Sequence, residues 1–219
     1  MSVIRRVACI GVVVACAFAR VLAQPAMPLA DLHPLGVKMD AVPYQGCAAI
    51  RLVESDAKRQ GGLAVLGGRQ FQDGVIEVDV AGKRGTHAVP DDRGFIGVAF
   101  RVRDGGRRYE YIYVRPDNGR AADQVRRNHA TQYASHPEFG FDRLRKEAPE
   151  RYESYVDLEP GAWTRMRIEV QGTTARLYVH DAPQPALVVN DLKLGADGGG
   201  VALWIGPGTE GYFSNLRVR

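Results

Sequence analysis

The sequence predicts an all-β protein, a single sandwich of two antiparallel sheets, and three observations lead to this prediction. Most of the chain after residue 73 consists of short segments in which apolar and polar residues alternate with a period of two, the pattern of half-buried strands. Gly, Asp, Asn and Pro separate these segments, as they do at turns. The 3.6-residue pattern of an amphipathic helix is nearly absent.

Residues 1–23 are predicted to be a secretory signal peptide. Arg5 and Arg6 give a basic start, an apolar run extends from Val7 to Phe18, and small residues precede position 24, which is the usual order in such signals. Arg20 interrupts the apolar run before the roughly 20 residues that a membrane span needs. We therefore expect a secreted or periplasmic protein without an integral membrane span. The Val-Val-Ala-Cys segment at 13–16 leaves lipoprotein processing as an alternative.

Removal of this segment changes the charge and the cysteine content. It takes away three arginines and no acids, so the formal net charge falls from +4 to +1 (4 − 3 = 1), which disfavours nucleic acid as a partner. Cys9 and Cys16 leave with it, and Cys47 then has no partner for an internal disulfide. We expect residues 24–219 to form one domain that its hydrophobic core stabilises.

The first clear strand is Gly74 to Val80. Ile76, Val78 and Val80 point to one face, while Glu77 and Asp79 point to the other, because successive side chains of a strand alternate. The apolar face is the one expected in the core.

A hairpin follows, formed by Gly94 to Val102 and Tyr109 to Arg115 around an Asp-Gly-Gly turn at 104–106. On its second strand Ile112 and Val114 are expected in the core. The opposite face of the hairpin is expected to carry Ala99, Arg101, Tyr111, Tyr113 and Arg115.

Four more strands complete the predicted sandwich. Trp163 to Val170 and Thr174 to His180 flank a Gln-Gly turn, and Val201 to Ile205 and Gly211 to Val218 end the chain. The polar stretch at about 116–151 is expected to be a long insert, with a short helical turn at Phe141 to Lys146. Inserts of this length within a compact domain are often functional.

The order of these segments resembles a known superfamily. The stretches "FQDGVIEVDV", "GFIGVAFRVRDGGRRYEYIYVRP", "GAWTRMRIEVQGTTARLYVHD" and "GVALWIGPGTEGYFSNLRV" resemble the concanavalin A-like lectin/glucanase superfamily. Within it they are most similar to the laminin G-like and 3-keto-disaccharide hydrolase type of domain. The resemblance covers roughly Gln70 to Arg219. It implies a concanavalin A-like jelly-roll sandwich and a carbohydrate partner. Members of the superfamily often bind calcium, but no cluster of acids here has the loop spacing of a calcium site, Asp91-Asp92 being the nearest, so we expect no cofactor.

The chain departs from the glucanases of this superfamily at one position. Their catalytic strand has an E-x-D-x-x-E arrangement; Glu77 and Asp79 match its first two acids, but Gly82 replaces the third. The acid that would protonate the leaving group is therefore missing. Cleavage beside an oxidised sugar carbon, as in the 3-keto-disaccharide hydrolases, can begin with proton abstraction next to the carbonyl and does not require the trio.

The candidate catalytic residues are Glu77 and Asp79 on their strand, His129 as a general base, and Glu210 in the turn beside Trp204. We expect Glu138 or Glu153 to hold His129. The alternative for the paired acids is a solvated strand face. No set of residues has the spacing of a recognised metal site.

The candidate substrate-binding residues are aromatic side chains, which stack on sugar rings, and polar side chains, which bond to hydroxyls. They are Arg101, Tyr111, Tyr113, Arg115, Asn118, Arg120, Gln132, Tyr133 and Trp204. The alternatives are that the tyrosines are present as good strand formers and that the insert is a surface loop. Residues 101–127 contain eight arginines and four acids, an excess that could attract an anionic polysaccharide.

Two functions follow from the sequence. The first is a secreted glycoside hydrolase, of the 3-keto-disaccharide type, acting in a concave groove. The second is a non-catalytic, lectin-like glycan-binding module. A structural envelope protein without a sugar partner is a third interpretation.

Overall fold

A computed structural model describes residues 29–56 and 58–219, so the predicted signal at 1–23 lies outside the described residues. The strands are β1 (Leu32–Leu35), β2 (Val37–Tyr44), β3 (Cys47–Glu54), β4 (Gly62–Leu66), β5 (Gly74–Arg84), β6 (Ile96–Arg103), β7 (Arg108–Val114), β8 (Thr131–His136), β9 (Glu153–Ser154), β10 (Thr164–Gln171), β11 (Thr174–Val179), β12 (Leu187–Val189), β13 (Gly200–Ile205) and β14 (Thr209–Val218). Three short helices are α1 (Pro116–Gly119), α2 (Gln124–Asn128) and α3 (Phe141–Glu147), and two 3-10 turns lie at Leu29–Asp31 and Asp104–Gly106.

The strands form two antiparallel sheets of seven strands each, which confirms the predicted sandwich. Sheet A has the order β1-β4-β13-β6-β7-β8-β9, and sheet B has the order β12-β11-β10-β5-β14-β3-β2. The core lies between the sheets, where Ile76, Val78 and Val80 of β5 face Ile112 and Val114 of β7 as parts of one buried cluster. β5 and β6 follow each other in the chain but lie in different sheets.

The predicted hairpin is confirmed as β6 and β7, which pair in antiparallel register around the turn at 104–106. One residue of it lies elsewhere than expected. The register shifts between Phe100 and Arg103, and Arg101 has a φ of +52°, so this bulge turns Arg101 away from the tyrosine face. Its side chain is fully buried.

The insert at 116–151 is not one long loop. It contains α1, α2, β8 and α3, and β8 pairs with β7 on one side and β9 on the other. The predicted helical turn is confirmed as α3. The sequence does not predict β8, because Thr131, Gln132 and Ser135 have hydrophilic side chains. In the structure all three are buried. No helix among the described residues combines the length and apolar character needed to cross a membrane.

Candidate functional site

The outer face of sheet A, opposite the core, carries most of the predicted binding residues. One row of side chains crosses this face through paired positions of neighbouring strands. It consists of Glu153, Gln132, Tyr113, Gly97, Trp204 and Leu63. The row brings β9 at one edge into line with β13 and β4, so residues separated by up to 141 positions share one surface.

Four aromatic rings form the centre of this surface, and we call them the aromatic face: Tyr109, Tyr111, Tyr113 and Trp204. The Trp204 ring centroid lies 5.0 Å from that of Tyr111 and 4.7 Å from that of Tyr113, and the two tyrosine rings stack at 5.5 Å. The His136 ring stacks on Tyr109 at 4.8 Å. Each such ring pair contributes about 0.5–1.5 kcal/mol beyond its buried area, so the aromatic face is a rigid unit.

Gly97 on β6 allows β7, the strand that carries the three tyrosines, to lie close beside β6. A Cβ at this position would lie 2.2 Å from the Ile112 carbonyl oxygen and 2.5 Å from the Tyr113 Cα, so no other residue fits without moving β7. The spacing of the tyrosines from Trp204 therefore depends on this glycine.

A buried ionic network borders the aromatic face at β9. The Glu153 carboxylate accepts hydrogen bonds from Arg115 Nη1 at 3.0 Å and from Arg145 Nε at 2.9 Å. Arg115 Nη2 donates to the Tyr113 hydroxyl at 3.0 Å and to Gln132 Oε1 at 2.9 Å. The Arg115 and Glu153 side chains are only 4% and 3% exposed. The network therefore fixes Arg115 against the aromatic face.

Two titratable groups in this region have shifted pKa values. Burial alone would raise the pKa of Glu153, but the hydrogen bond from Arg145 and the charges of Arg115 and Arg145 outweigh it and hold that pKa below its usual range. His129 Nε2 lies 3.7 Å from Glu153 Oε2. Burial lowers the pKa of His129 despite the nearby Glu153 charge, so its imidazole is neutral at pH 7 and able to accept a proton.

A cleft of about 970 Å³ opens beside the aromatic face. It lies between the loop before β6, the end of β7 and the three helices. Its lining residues are Asp91, Arg93, Phe95, Arg115, Asn118, Asp123, Val125, Arg126, His129, Phe141 and Arg145. The Phe141 ring, 44% exposed, lies over the guanidinium carbons of Arg115 and Arg145 at 5.5 and 5.4 Å. The insert thus provides one wall of this cleft.

Two other predicted residues of the insert have structural partners. Asn118 lines the cleft but is largely buried, and it donates from Nδ2 to the His129 carbonyl at 2.9 Å while accepting from Arg126 Nε at 3.0 Å. Arg120 lies outside the cleft and pairs with Asp157 and Glu159 at 2.9 and 2.8 Å.

Tyr133 and Arg101 point into the protein and not toward the cleft, contrary to the placement expected from the sequence. Tyr133 is an inward residue of β8, and its hydroxyl donates to Glu110 at 2.5 Å and accepts from the Lys193 backbone N–H at 2.8 Å. Arg101 donates to the backbone carbonyls of Gln72, Gly172 and Gly195. Tyr133 therefore bonds to the buried Glu110, and Arg101 bonds to carbonyls of three loops.

Three candidate catalytic acids lie on the outer face of sheet B, across the core from the aromatic face. Glu77 and Asp79 contact Arg165 at 3.5 and 3.3 Å, and Glu77 also pairs with Arg219. Glu210 accepts from Arg51 and from the Tyr212 hydroxyl, both at 2.7 Å. The fold therefore does not bring these acids together with His129 or the tyrosines.

Sequence reasoning did not select Phe141 and Arg145 as site residues. Their spacing of four residues places them on one side of α3. Because the sequence predicts this helix, the spacing also predicts that the two side chains lie together. Glu153 was named only as a partner for His129, and its position 3.7 Å from that ring is set by β9. The other acid considered, Glu138, lies near His136 instead.

Comparison with known proteins shows the fold. No family model matches the chain, and no curated protein matches it. A solved structure of the carbohydrate-binding module CBM66 from Bacillus subtilis superimposes with a TM-score of 0.59 at 11% identity, covering 85% of this chain and 93% of that one. The chain is a jelly-roll sandwich. This confirms the predicted fold class.

Two further structures agree with this result. A Bacillus subtilis protein of unknown function with a galectin-like fold has a TM-score of 0.56 at 10% identity, covering 87% of this chain and 90% of that one. A candidate glycosyl hydrolase from Parabacteroides distasonis has a TM-score of 0.54 at 12% identity, covering 90% and 99%. Sequence identity this low establishes the shared architecture alone.

Proposed function

We propose that this protein is a glycan-binding protein whose binding surface is the cleft beside the aromatic face of sheet A; three of the four rings of that face, Tyr109, Tyr113 and Trp204, are themselves buried. The observation that carries the proposal is the exposed Phe141 ring in this cleft. Beside it, the guanidinium groups of Arg126 and Arg145 each have N–H groups for which the structure describes no protein acceptor. An exposed ring offers a surface for the C–H face of a sugar, and guanidinium groups donate to its hydroxyls.

Two further features support binding as the function. The buried network fixes the Arg115 and Arg145 side chains of the cleft before any ligand arrives, which lowers the entropy cost of binding. The solved structures with the same fold include one named as a carbohydrate-binding module. A secreted or periplasmic location, as the N-terminal sequence predicts, suits a protein that meets polysaccharides.

The test is calorimetric titration of the mature chain with a panel of neutral and acidic oligosaccharides, comparing the wild type with Phe141→Ala. Removal of one stacking ring is expected to weaken binding about 3- to 10-fold, since ring stacking contributes about 0.5–1.5 kcal/mol. Tyr178→Ala is the matched control, because Tyr178 alternates with the inward residues of β11 and faces out from sheet B. Equal losses in both variants, or no binding to any glycan, would contradict the proposal.

A second candidate function, glycoside hydrolysis of the 3-keto-disaccharide type, is favoured by one observation. His129 is a neutral imidazole at the cleft, 3.7 Å from the ionised Glu153. It has the properties of a base that takes a proton from the carbon between a keto group and the glycosidic carbon. The electron pair released then expels the aglycone oxygen, which takes up a proton, and water adds to the resulting double bond.

Mass spectrometry of oligosaccharides and their 3-keto derivatives after incubation with the protein tests this second candidate. New sugar masses that disappear in His129→Ala and persist in His180→Ala, a histidine outside the cleft, would support hydrolysis. Unchanged masses with retained binding would leave the glycan-binding function alone.

A further inference from the structure

The ionic network beside the aromatic face is unbalanced in charge. Two guanidinium groups, Arg115 and Arg145, share a single carboxylate, that of Glu153. One positive charge therefore remains next to Phe141, at a position where the Arg115 side chain is almost completely shielded from water. Charges near a poorly solvated wall act on a ligand more strongly than those on an open surface.

The excess persists over the lining of the cleft. The lining contains four arginines, Arg93, Arg115, Arg126 and Arg145, against Asp91 and Asp123. With Glu153, which binds two of these arginines, the difference is +1 (4 − 3 = 1). Asp117 and Glu150 lie outside the lining and act on Arg126 and His129. His129 adds no charge near pH 7, because burial lowers its pKa.

The two acids of the lining are also poorly placed to neutralise its arginines, although the charge of Asp117 acts on Arg126 and Arg93 from outside the lining. Asp91 contacts Arg93 at 3.3 Å, but its side chain is 97% exposed, and such pairs are worth little. Asp123 is exposed and accepts the Arg126 backbone N–H. The Arg126 guanidinium itself contacts the neutral Asn118 amide, and no described carboxylate lies within 4 Å of it. Arg126 and Arg145 thus present N–H groups to the cleft.

We propose that the cleft binds a sugar that carries a carboxylate, a uronic acid residue, with the carboxylate received by Arg126 and Arg145 and the ring packed on Phe141. This inference rests on the proposed glycan-binding function and names its ligand class. A carboxylate matches the planar, forked geometry of guanidinium donors better than a hydroxyl does.

Calorimetric titration of the mature chain with tetragalacturonate and with its fully methyl-esterified form tests the inference. The two probes share every ring and hydroxyl and differ in the charged group. The acid is expected to bind about tenfold more tightly at low salt, the effect of one charge-assisted contact, and the preference is expected to shrink as salt screens the charges.

Three variants locate the contact. Arg126→Gln is expected to weaken binding of the acid much more than binding of the ester, so that most of the preference for the acid is lost, and Arg126→Lys is expected to retain part of the preference. Arg176→Gln, an exposed arginine of β11 in sheet B, is the charge-matched control and should behave as the wild type. Unchanged far-UV circular dichroism of each variant ensures that the comparison concerns folded protein.

The outcomes separate this inference from the proposed function. Equal affinity for acid and ester overturns the uronic acid inference and leaves glycan binding intact. A preference for the acid that survives in Arg126→Gln overturns the assignment to this cleft. A stronger preference for a sulfated oligosaccharide of the same charge overturns the choice of carboxylate. Absence of binding to any acidic or neutral glycan overturns both proposals.

Discussion

Replacement of Glu153 by Gln tests the buried ionic network most directly. The substitution keeps the shape of the side chain and removes the negative charge that pairs with Arg115 and Arg145. Breaking a buried ion pair costs about 3–5 kcal/mol, because the remaining charge has no counterion. The Arg145 side chain is 38% exposed and water will solvate part of its charge, so we expect the lower end, about 3 kcal/mol.

Thermal unfolding followed by circular dichroism measures this loss. For a domain of this size each kcal/mol lowers Tm by about 2–4 °C, so Glu153→Gln is expected to lower Tm by about 6–12 °C. Glu159→Gln is the control, since Glu159 and its partner Arg120 are both 59% exposed. The expected loss there is below about 0.5 kcal/mol.

The pH dependence gives a second measure of the same network. The pKa of Glu153 is lowered in the folded protein, so its contribution is present above the unfolded pKa and is lost as the pH falls through the folded pKa. The stability difference between wild type and variant should be constant near neutral pH and should diminish below about pH 4. A difference under about 1 kcal/mol at pH 7, or one that does not change with acid, would refute the argument.

Four other substitutions give distinct expected outcomes. Tyr133→Phe removes the hydroxyl donor to buried Glu110 and should cost about 1–3 kcal/mol in chemical denaturation; an unchanged midpoint would contradict this. Arg101→Met removes the donor to three carbonyls and should cost about 3 kcal/mol, measured in the same way. Gly97→Ala should destabilise by about 1–3 kcal/mol or more through overpacking against β7, and a stable variant would show that β7 can shift. Glu77→Gln should leave glycan affinity and any turnover unchanged, because this acid lies on the opposite sheet; a loss of either would place it at the site.

The period-two pattern predicted the strands well where one face is uniformly apolar. In β7, Ile112 and Val114 were placed in the core and the tyrosines on the other face, as observed. The same pattern placed Trp204 beside them. Alternation carries this information because a half-buried strand must direct its apolar side chains to one side.

The pattern could not predict which sheet receives each strand. β5 and β6 are consecutive, so Glu77 and the tyrosines could share a surface as far as spacing is concerned. The chain instead crosses from sheet B to sheet A between them. The two outward faces then lie on opposite sides of the core. Which sheet a strand joins depends on its pairing with strands far away along the chain, and the local sequence pattern does not predict that pairing.

Two local features of the structure also differ from what the period-two pattern predicts. The bulge at Arg101 reverses the alternation at the end of β6, and a single extra residue leaves no mark in composition. β8 was missed because its buried residues include Gln132 and Ser135, which are polar groups usually found at the surface. Gln132 is tolerated there because it donates to the carbonyls of Tyr133 and Tyr152 and accepts from Arg115.

The Arg101 contacts have a consequence for the speed of unfolding. The side chain joins loops that lie 29, 71 and 94 residues away along the chain, and these loops meet only after both sheets have paired. We expect contacts of such high sequence separation to form late, on the native side of the folding barrier. Loss of about 3 kcal/mol at Arg101 should therefore speed unfolding about 100-fold and leave the folding rate nearly unchanged. Arg101 is then a determinant of how long the protein remains folded.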